Sequence, residues 1–205
     1  MSRRAVPEAN TEALQREGLP VSRPAAFLDR DGVLNLDQGY VHRIEDFHWL
    51  PGATQALSLL QQAGLARVVV TNQSGIARGL YTLADLERLH EHMRRDLARQ
   101  GLTLDGIHAC PHHPDGVVAE YRLACDCRKP RPGLIERAAR EHSLDLPASC
   151  LFGDKASDIE AGRRAGVGRC WLIGSAPAAR ACGADGASAG LLEAVRSWLG
   201  ARSGA

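Results

Sequence analysis

No run of roughly 18 apolar residues occurs anywhere in the chain, so no stretch has the length a helix needs to cross a bilayer, and no membrane partner is expected. The first residues also lack the apolar segment of a secretory signal, because Arg3 and Arg4 are followed by Glu8, Asn10, Glu12 and Glu17. A cytoplasmic protein is expected. Charge of one sign is missing too: 25 Lys and Arg are offset by 24 Asp and Glu along the chain, so there is no basic stripe for a nucleic acid. Function must therefore lie in local sites. Internal repeats are absent, and the six cysteines do not form a regular disulfide framework. Cys110, Cys125 and Cys127 crowd together, which suits metal ligation, whereas the scattered Cys150, Cys170 and Cys182 suit buried packing.

What is present reads as an ordinary globular composition, 44% apolar and 24% charged, in 205 residues that suit one domain. Residues 1–23 are polar and aperiodic and are expected to be a disordered extension, residues 24–200 a single domain and residues 201–205 a flexible tail. Short apolar runs at 25–28, 68–70, 150–152 and 170–173 each end in a polar or glycine-bearing turn and predict buried parallel strands. Helical stretches fall at 53–63, 83–100, 134–142 and 159–165. In the second, Leu83, Leu86, Leu89, His90, Met93 and Leu97 share one face, so His90 is assigned to the core. The Gly- and Ala-rich residues 174–190 are expected to form a loop before a final helix. Alternating strands and helices predict an α/β fold with a doubly wound parallel sheet, whose ligands bind beyond the carboxyl ends of the strands. Asp29, Thr71 and Asp154 stand at three such ends.

Directly after the first run comes Asp29-Arg30-Asp31-Gly32-Val33-Leu34-Asn35, which sends two carboxylates toward one pocket where Gly32 permits an abrupt turn. Such a pair alone is commonly a solvated or capping turn. It is followed in order by Thr71-Asn72-Gln73-Ser74-Gly75, Arg128-Lys129-Pro130, and Gly153-Asp154-Lys155 with Asp158. These four motifs resemble those of the haloacid dehalogenase superfamily, and the resemblance implies a Rossmannoid phosphatase that forms an aspartyl phosphate on Asp29. No insertion large enough for a cap domain follows Asn35 or Gly75, so an open site for small substrates is expected. Attack by one anion on another calls for a divalent cation, and Mg2+ held by Asp29, Asp154 and a carbonyl at Asp31 fits hard oxygen ligands. Lys129, the Thr71 hydroxyl and the backbone N–H groups of Asn72, Gln73 and Ser74 would cradle the phosphoryl oxygens. Asp31 would act as general acid and then base, with its protonated form favoured by nearby Asp29 and a partly dry site. This second acid favours phosphoryl chemistry over halide release, because a halide leaves without a proton. Asp158 could reinforce the metal or cap a helix starting at Ile159, and it is left out of the ligand set.

Cys110-Pro111-His112-His113-Pro114 and Cys125-Asp126-Cys127 place three thiols and an imidazole within eighteen residues, the donor set of a closed, structural Cys3His site for Zn2+. Over residues 25–173 the chain is similar to the D-glycero-D-manno-heptose 1,7-bisphosphate 7-phosphatase family. The stretches that carry this are Phe27-Leu28-Asp29-Arg30-Asp31-Gly32, Thr71 through Gly79, and Cys125 through Pro130. That family removes the C7 phosphate on the way to nucleotide-activated heptose for bacterial surface polysaccharide. The resemblance selects His112 over His113 as the fourth zinc ligand and implies substrate contacts at Asp37, Gly39, Tyr40, Arg128 and Lys155. A small-molecule sugar phosphate is the expected partner, and the chain is expected to be a monomer. Histidinol-phosphate phosphatase resembles the chain in its acidic motifs and zinc loop, but usually has a shorter interval than the twelve residues 113–124 here. A non-catalytic zinc-binding interaction protein would leave Asp29, Asp31, Lys129 and Asp154 without purpose.

Overall fold

The computed structural model describes residues 22–203. Most of the extension expected over 1–23, and residues 204–205 of the expected tail, lie outside the described residues. Six strands, β1 (Arg23–Leu28), β2 (Ala66–Asn72), β3 (Gly106–Cys110), β4 (Leu144–Gly153), β5 (Arg169–Ile173) and β6 (Gly186–Ser188), form one parallel sheet in the order β3-β2-β1-β4-β5-β6. Its faces are covered by helices α1 (Ala53–Gln62), α2 (Leu83–Arg99), α3 (Gly133–His142), α4 (Ala156–Ala165), α5 (Ala176–Cys182) and α6 (Leu191–Ser203), with one 3-10 turn at Ala119–Tyr121. The α/β doubly wound parallel sheet expected from the sequence is the observed architecture.

Strand alternation divides the core in two. Ala26 and Leu28 of β1 pack with α1, α2 and α6 on one face, while Ala25 and Phe27 pack with α3 and α4 on the other. The chain leaves β1 toward β2 and β3, then returns to the other side of β1 as β4. The crevice opened by this reversal lies beyond the ends of β1 and β4, which is where Asp29 and Asp154 leave the sheet.

Several local expectations are corrected. Strands β3 and β6 were not legible as apolar runs, because both edge strands keep partly exposed side chains. Residues 174–190 hold α5 and β6 instead of a loop. The helix starts where Ser175 Oγ accepts from the Ala178 N–H and stops at Gly183, whose φ is 70°. Helix α4 begins at Ala156, not Ile159. Leu83, the first residue of α2, is exposed, whereas Leu86, Leu89, His90, Met93 and Leu97 are buried. Arg23 opens β1, with its N–H donating to the Ser143 carbonyl and its guanidinium bonding Asp105, and α6 runs through Ser203. Among the described residues no domain-sized insertion caps the sheet, and no helix is long and apolar enough to cross a membrane.

Candidate active site and metal centre

Asp29 directly follows the first buried strand, and its N–H donates to Phe152 O of β4, which fixes the backbone at the crevice. Its Oδ1 accepts from Lys129 Nζ at 2.8 Å. The same ammonium reaches Asp158 Oδ1 at 2.7 Å and the Val70 carbonyl at 2.7 Å. Lys129 is buried, and burial alone would push its pKa down, but Asp29 and Asp158 outweigh this and hold it above the usual lysine value. Its backbone is anchored reciprocally by the Asn72 side chain, which donates to Lys129 O at 3.1 Å and accepts from Lys129 N at 3.0 Å. Asn72 at the end of β2 thereby places the lysine.

Asp158, left out of the ligand set by sequence reasoning, has two partners. Oδ1 pairs with Lys129 and Oδ2 accepts from the Lys155 N–H at 3.0 Å, so it closes the first turn of α4 from inside the helix instead of capping one at Ile159. Asp29, Asp154 and Asp158 offer carboxylate oxygens within 4.8 Å of one another. One buried ammonium does not balance three carboxylates. Burial and then Asp29 push the Asp154 carboxyl up to about 7, and its buried Oδ1 has no hydrogen-bond partner. An excess of hard oxygen donors with one orphaned atom fits a divalent cation such as Mg2+. Gly32 keeps this arrangement open. Its φ is 86°, and a β-carbon there would lie 2.4 Å from Asp154 Oδ2.

Asp31 is held by three donors that the sequence did not reveal. Its Oδ1 accepts from Arg30 Nη2 at 2.9 Å and Asn35 Nδ2 at 3.0 Å, and its Oδ2 from Gln73 Nε2 at 2.8 Å. These three donors fix the direction in which the Asp31 carboxyl points. Arg30 is fully buried and also donates to the Val41 carbonyl at 2.6 Å, tying Asp31 to the segment that carries Asp37, Gly39 and Tyr40. Gln73 is committed as well. Its backbone N–H donates to Cys110 O at 2.7 Å, so that N–H does not face a phosphate, and its side chain bridges Asp31 and the Thr71 hydroxyl. Tyr81 donates its hydroxyl to Gln73 Oε1 at 2.5 Å. Arg30, Asn35 and Tyr81 escaped the sequence reading, since their residue types do not signal which acceptor each side chain will find.

A cavity of about 540 Å³ is lined by Asp37, Gly39, Tyr40, Asn72, Gln73, Ser74, Arg128 and Lys155, together with Asp31 and Lys129. Asp37 accepts from the Gly39 N–H at 3.0 Å and from Lys155 Nζ at 3.3 Å. Although burial pushes the other way, these two partners hold its carboxyl below the usual value. Tyr40 is exposed, with a left-handed φ of 53°. Arg128 donates to the His112 carbonyl at 3.4 Å, and Asp126 pairs with Arg131.

Beside the cavity, Cys110, His112, Cys125 and Cys127 converge. The recorded separations are 3.2–3.5 Å between sulfurs, and His112 Nδ1 lies 3.3 Å from Cys127 Sγ and 3.7 Å from Cys110 Sγ. A tetrahedral site with Zn–S bonds of about 2.3 Å has edges of roughly 3.8 Å, so the cluster is close to the size of that ion's shell and could hold it. His113 turns away toward Arg78 Nη2, 3.3 Å distant. Hydrogen bonding with Cys110, Cys125 and His112 pulls the Cys127 thiol down to about 5, which favours the thiolate that a metal takes as ligand.

The chain is similar to known proteins. Residues 126–175 match a HAD-hydrolase-like family model. A D-glycero-beta-D-manno-heptose-1,7-bisphosphate 7-phosphatase from Photorhabdus laumondii is 50% identical over 73% of this chain and 80% of its own length. This chain belongs to that phosphatase family. A D-glycero-alpha-D-manno-heptose-1,7-bisphosphate 7-phosphatase from the same organism is 46% identical over 72% of this chain and 81% of its own, so the heptose-bisphosphate phosphatase family includes enzymes named for either anomer. The crystal structure of the D,D-heptose 1,7-bisphosphate phosphatase from B. bronchiseptica, complexed with magnesium and phosphate, has 35% identity. It superposes with a TM-score of 0.75 over 86% of this chain and 98% of its own. Magnesium at the carboxylates accords with the heptose-bisphosphate phosphatase family and with the orphaned oxygen of Asp154.

Proposed function

We propose that this chain hydrolyses the C7 phosphate of D-glycero-D-manno-heptose 1,7-bisphosphate in the synthesis of nucleotide-activated heptose, acting as a cytoplasmic monomer with Zn2+ structural at the Cys/His cluster. The observation that carries the reading is the Asp29–Lys129 pair beside a cation-deficient carboxylate cluster, opening on a cavity whose walls bear Arg128 and Lys155. A Mg2+ ion held by Asp29, Asp154 and the Asp31 carbonyl would supply the positive charge that lets a carboxylate approach an anionic phosphorus.

Asp29 attacks phosphorus through the oxygen not bonded to Lys129, and the P–O bond to C7 breaks. Lys129, the Thr71 hydroxyl and the backbone N–H groups of Asn72 and Ser74 hold the phosphoryl oxygens. Asp31 gives a proton to the departing alkoxide, then takes one from the water whose oxygen attacks the aspartyl phosphate. The P–O bond to Asp29 breaks, and inorganic phosphate leaves. Arg30, Asn35 and Gln73 aim the Asp31 carboxyl during both proton transfers. Arg128 grips the second phosphate with its planar fork, while Asp37 and Lys155 bind sugar hydroxyls beside Gly39 and Tyr40. Gln73 takes part by orienting Asp31 and Thr71, not through its own N–H.

The test is phosphate release, with Mg2+, from both anomers of the heptose bisphosphate and from histidinol phosphate. A higher kcat/KM for a heptose bisphosphate is expected, and preference for histidinol phosphate would overturn the substrate assignment.

A further inference from the structure

A third group of metal-binding side chains stands apart from both sites described above. His108 lies on β3, and Glu141 and His142 lie in the last turn of α3. Strand β3 is an edge of the sheet, and α3 packs on it. His142 reaches the start of that strand at Gly106, whereas Cys110 of the Cys/His cluster ends it.

The two Nε2 atoms, of His108 and His142, are 3.4 Å apart. That is long for a hydrogen bond between rings, whose usual range ends near ~3.2 Å. It equals the edge of a tetrahedral site, where two bonds of about 2.0–2.1 Å place their nitrogens roughly 3.3–3.4 Å apart. Gly106 supplies the room. A β-carbon there would lie 2.7 Å from His142 Nε2 and 3.0 Å from His108 Nε2, so the missing side chain leaves open space within reach of both nitrogens. The third donor is adjustable: Glu141 Oε2 lies 3.9 Å from His108 Nδ1, the ring nitrogen that does not face His142, and its side chain, 54% exposed, has to swing to reach the Nε2 side, while that of His108 is only 9% exposed. One ligand is thus held by packing, and another can swing in.

We propose that His108, His142 and Glu141 form a second transition-metal site, taking a borderline ion of the Zn2+ or Ni2+ class and clipping α3 to the edge strand β3. Two imidazoles and one carboxylate favour such ions over Mg2+, which prefers oxygen ligands throughout. Three protein ligands leave a fourth position for water. The clip fastens the far end of the helix that begins just after Arg128 and Lys129, at the margin of the sheet where, among the described residues, no further strand holds it.

The test uses full-length protein purified with zinc and kept in excess Mg2+, then dialysed against low-micromolar Zn2+ and counted by elemental mass spectrometry. Wild type is expected to retain one more zinc per chain than His142→Ala, and its melting temperature should rise with added zinc where that of the variant does not. Because only the difference is read, the filling of the Cys/His cluster cancels. Unchanged phosphatase turnover in the variant certifies its fold, and His142→Gln, which keeps a polar helix end, replaces it if it does not fold. Glu141→Gln should bind the extra ion more weakly. Equal zinc counts in wild type and the folded His142 variant would overturn the site.

Discussion

Lys129 is buried between two carboxylates and a carbonyl, so each of these residues depends on the others for its charge state. Replacing Asp29 with Asn leaves the ammonium paired to Asp158 but removes the nucleophile. Turnover in Asp29→Asn should fall by roughly 10⁴-fold or more with the fold retained, read as phosphate release beside an unchanged circular dichroism spectrum. Arg128 is a different case. It holds no partner more firmly than the His112 carbonyl at 3.4 Å, which leaves its fork for a ligand. Arg128→Lys should therefore raise KM by about tenfold while changing kcat little, because a point charge replaces a bidentate grip. Steady-state kinetics on the heptose bisphosphate separate the two parameters, and a loss confined to kcat would remove Arg128 from substrate binding. The residue types at Asp29, Asp31, Thr71, Lys129 and Asp154 were legible because chemistry restricts them to few choices. The task of Gln73 was not, since an amide in a motif says nothing of whether its N–H will meet a phosphate or the Cys110 carbonyl.

At the scale of elements, the zinc loop stands out as a connection stabilised by little apolar packing. Between Cys110 and Cys127 the chain forms only a 3-10 turn, with Val117 and Leu123 exposed, and Lys129 follows two residues later. A metal held there would order the loop and thereby the lysine. Cys125→Ala should lose zinc and lower the melting temperature by roughly 5 °C or more, with kcat reduced although residue 125 touches no substrate. Full activity in a zinc-free variant would separate the loop from catalysis. Elements with continuous apolar runs, such as β1 and β2, could be read directly, and so could the 3.6-residue periodicity of α2. Strand β3 could not, because an edge strand has one neighbour and its residues stay partly exposed, so no apolar run marks it. Helix α5 was hidden in an Ala- and Gly-rich stretch that composition alone makes look like a loop, although Ser175 and Gly183 mark its two ends.

For the whole molecule, the sheet gathers acids from β1 and α4 faster than it supplies cations, and pH should reveal the imbalance. Without a divalent ion the Asp154 carboxyl is pushed up to about 7 in the folded protein against an ordinary 3.8. The folded chain then holds a proton that the unfolded chain has released. This contribution is full below the ordinary value and is lost as pH rises through about 7. In EDTA the melting temperature should thus decline over that interval, and Mg2+ should restore both it and turnover most strongly at the upper end. Turnover that survives complete removal of Mg2+ would contradict the proposed chemistry. The order of the motifs, the alternation of strand and helix and the Cys/His spacing were determined by the sequence alone, because each is carried by residues close together in the chain. Only the tertiary structure decided that Asp158 shares Lys129 with Asp29, that Arg30 and Gln73 hold Asp31, and that His108 faces His142. Apart from Arg30, the neighbour of Asp31, those partners are separated by tens of residues or more, and which side chains meet depends on strand order and register, not on local pattern.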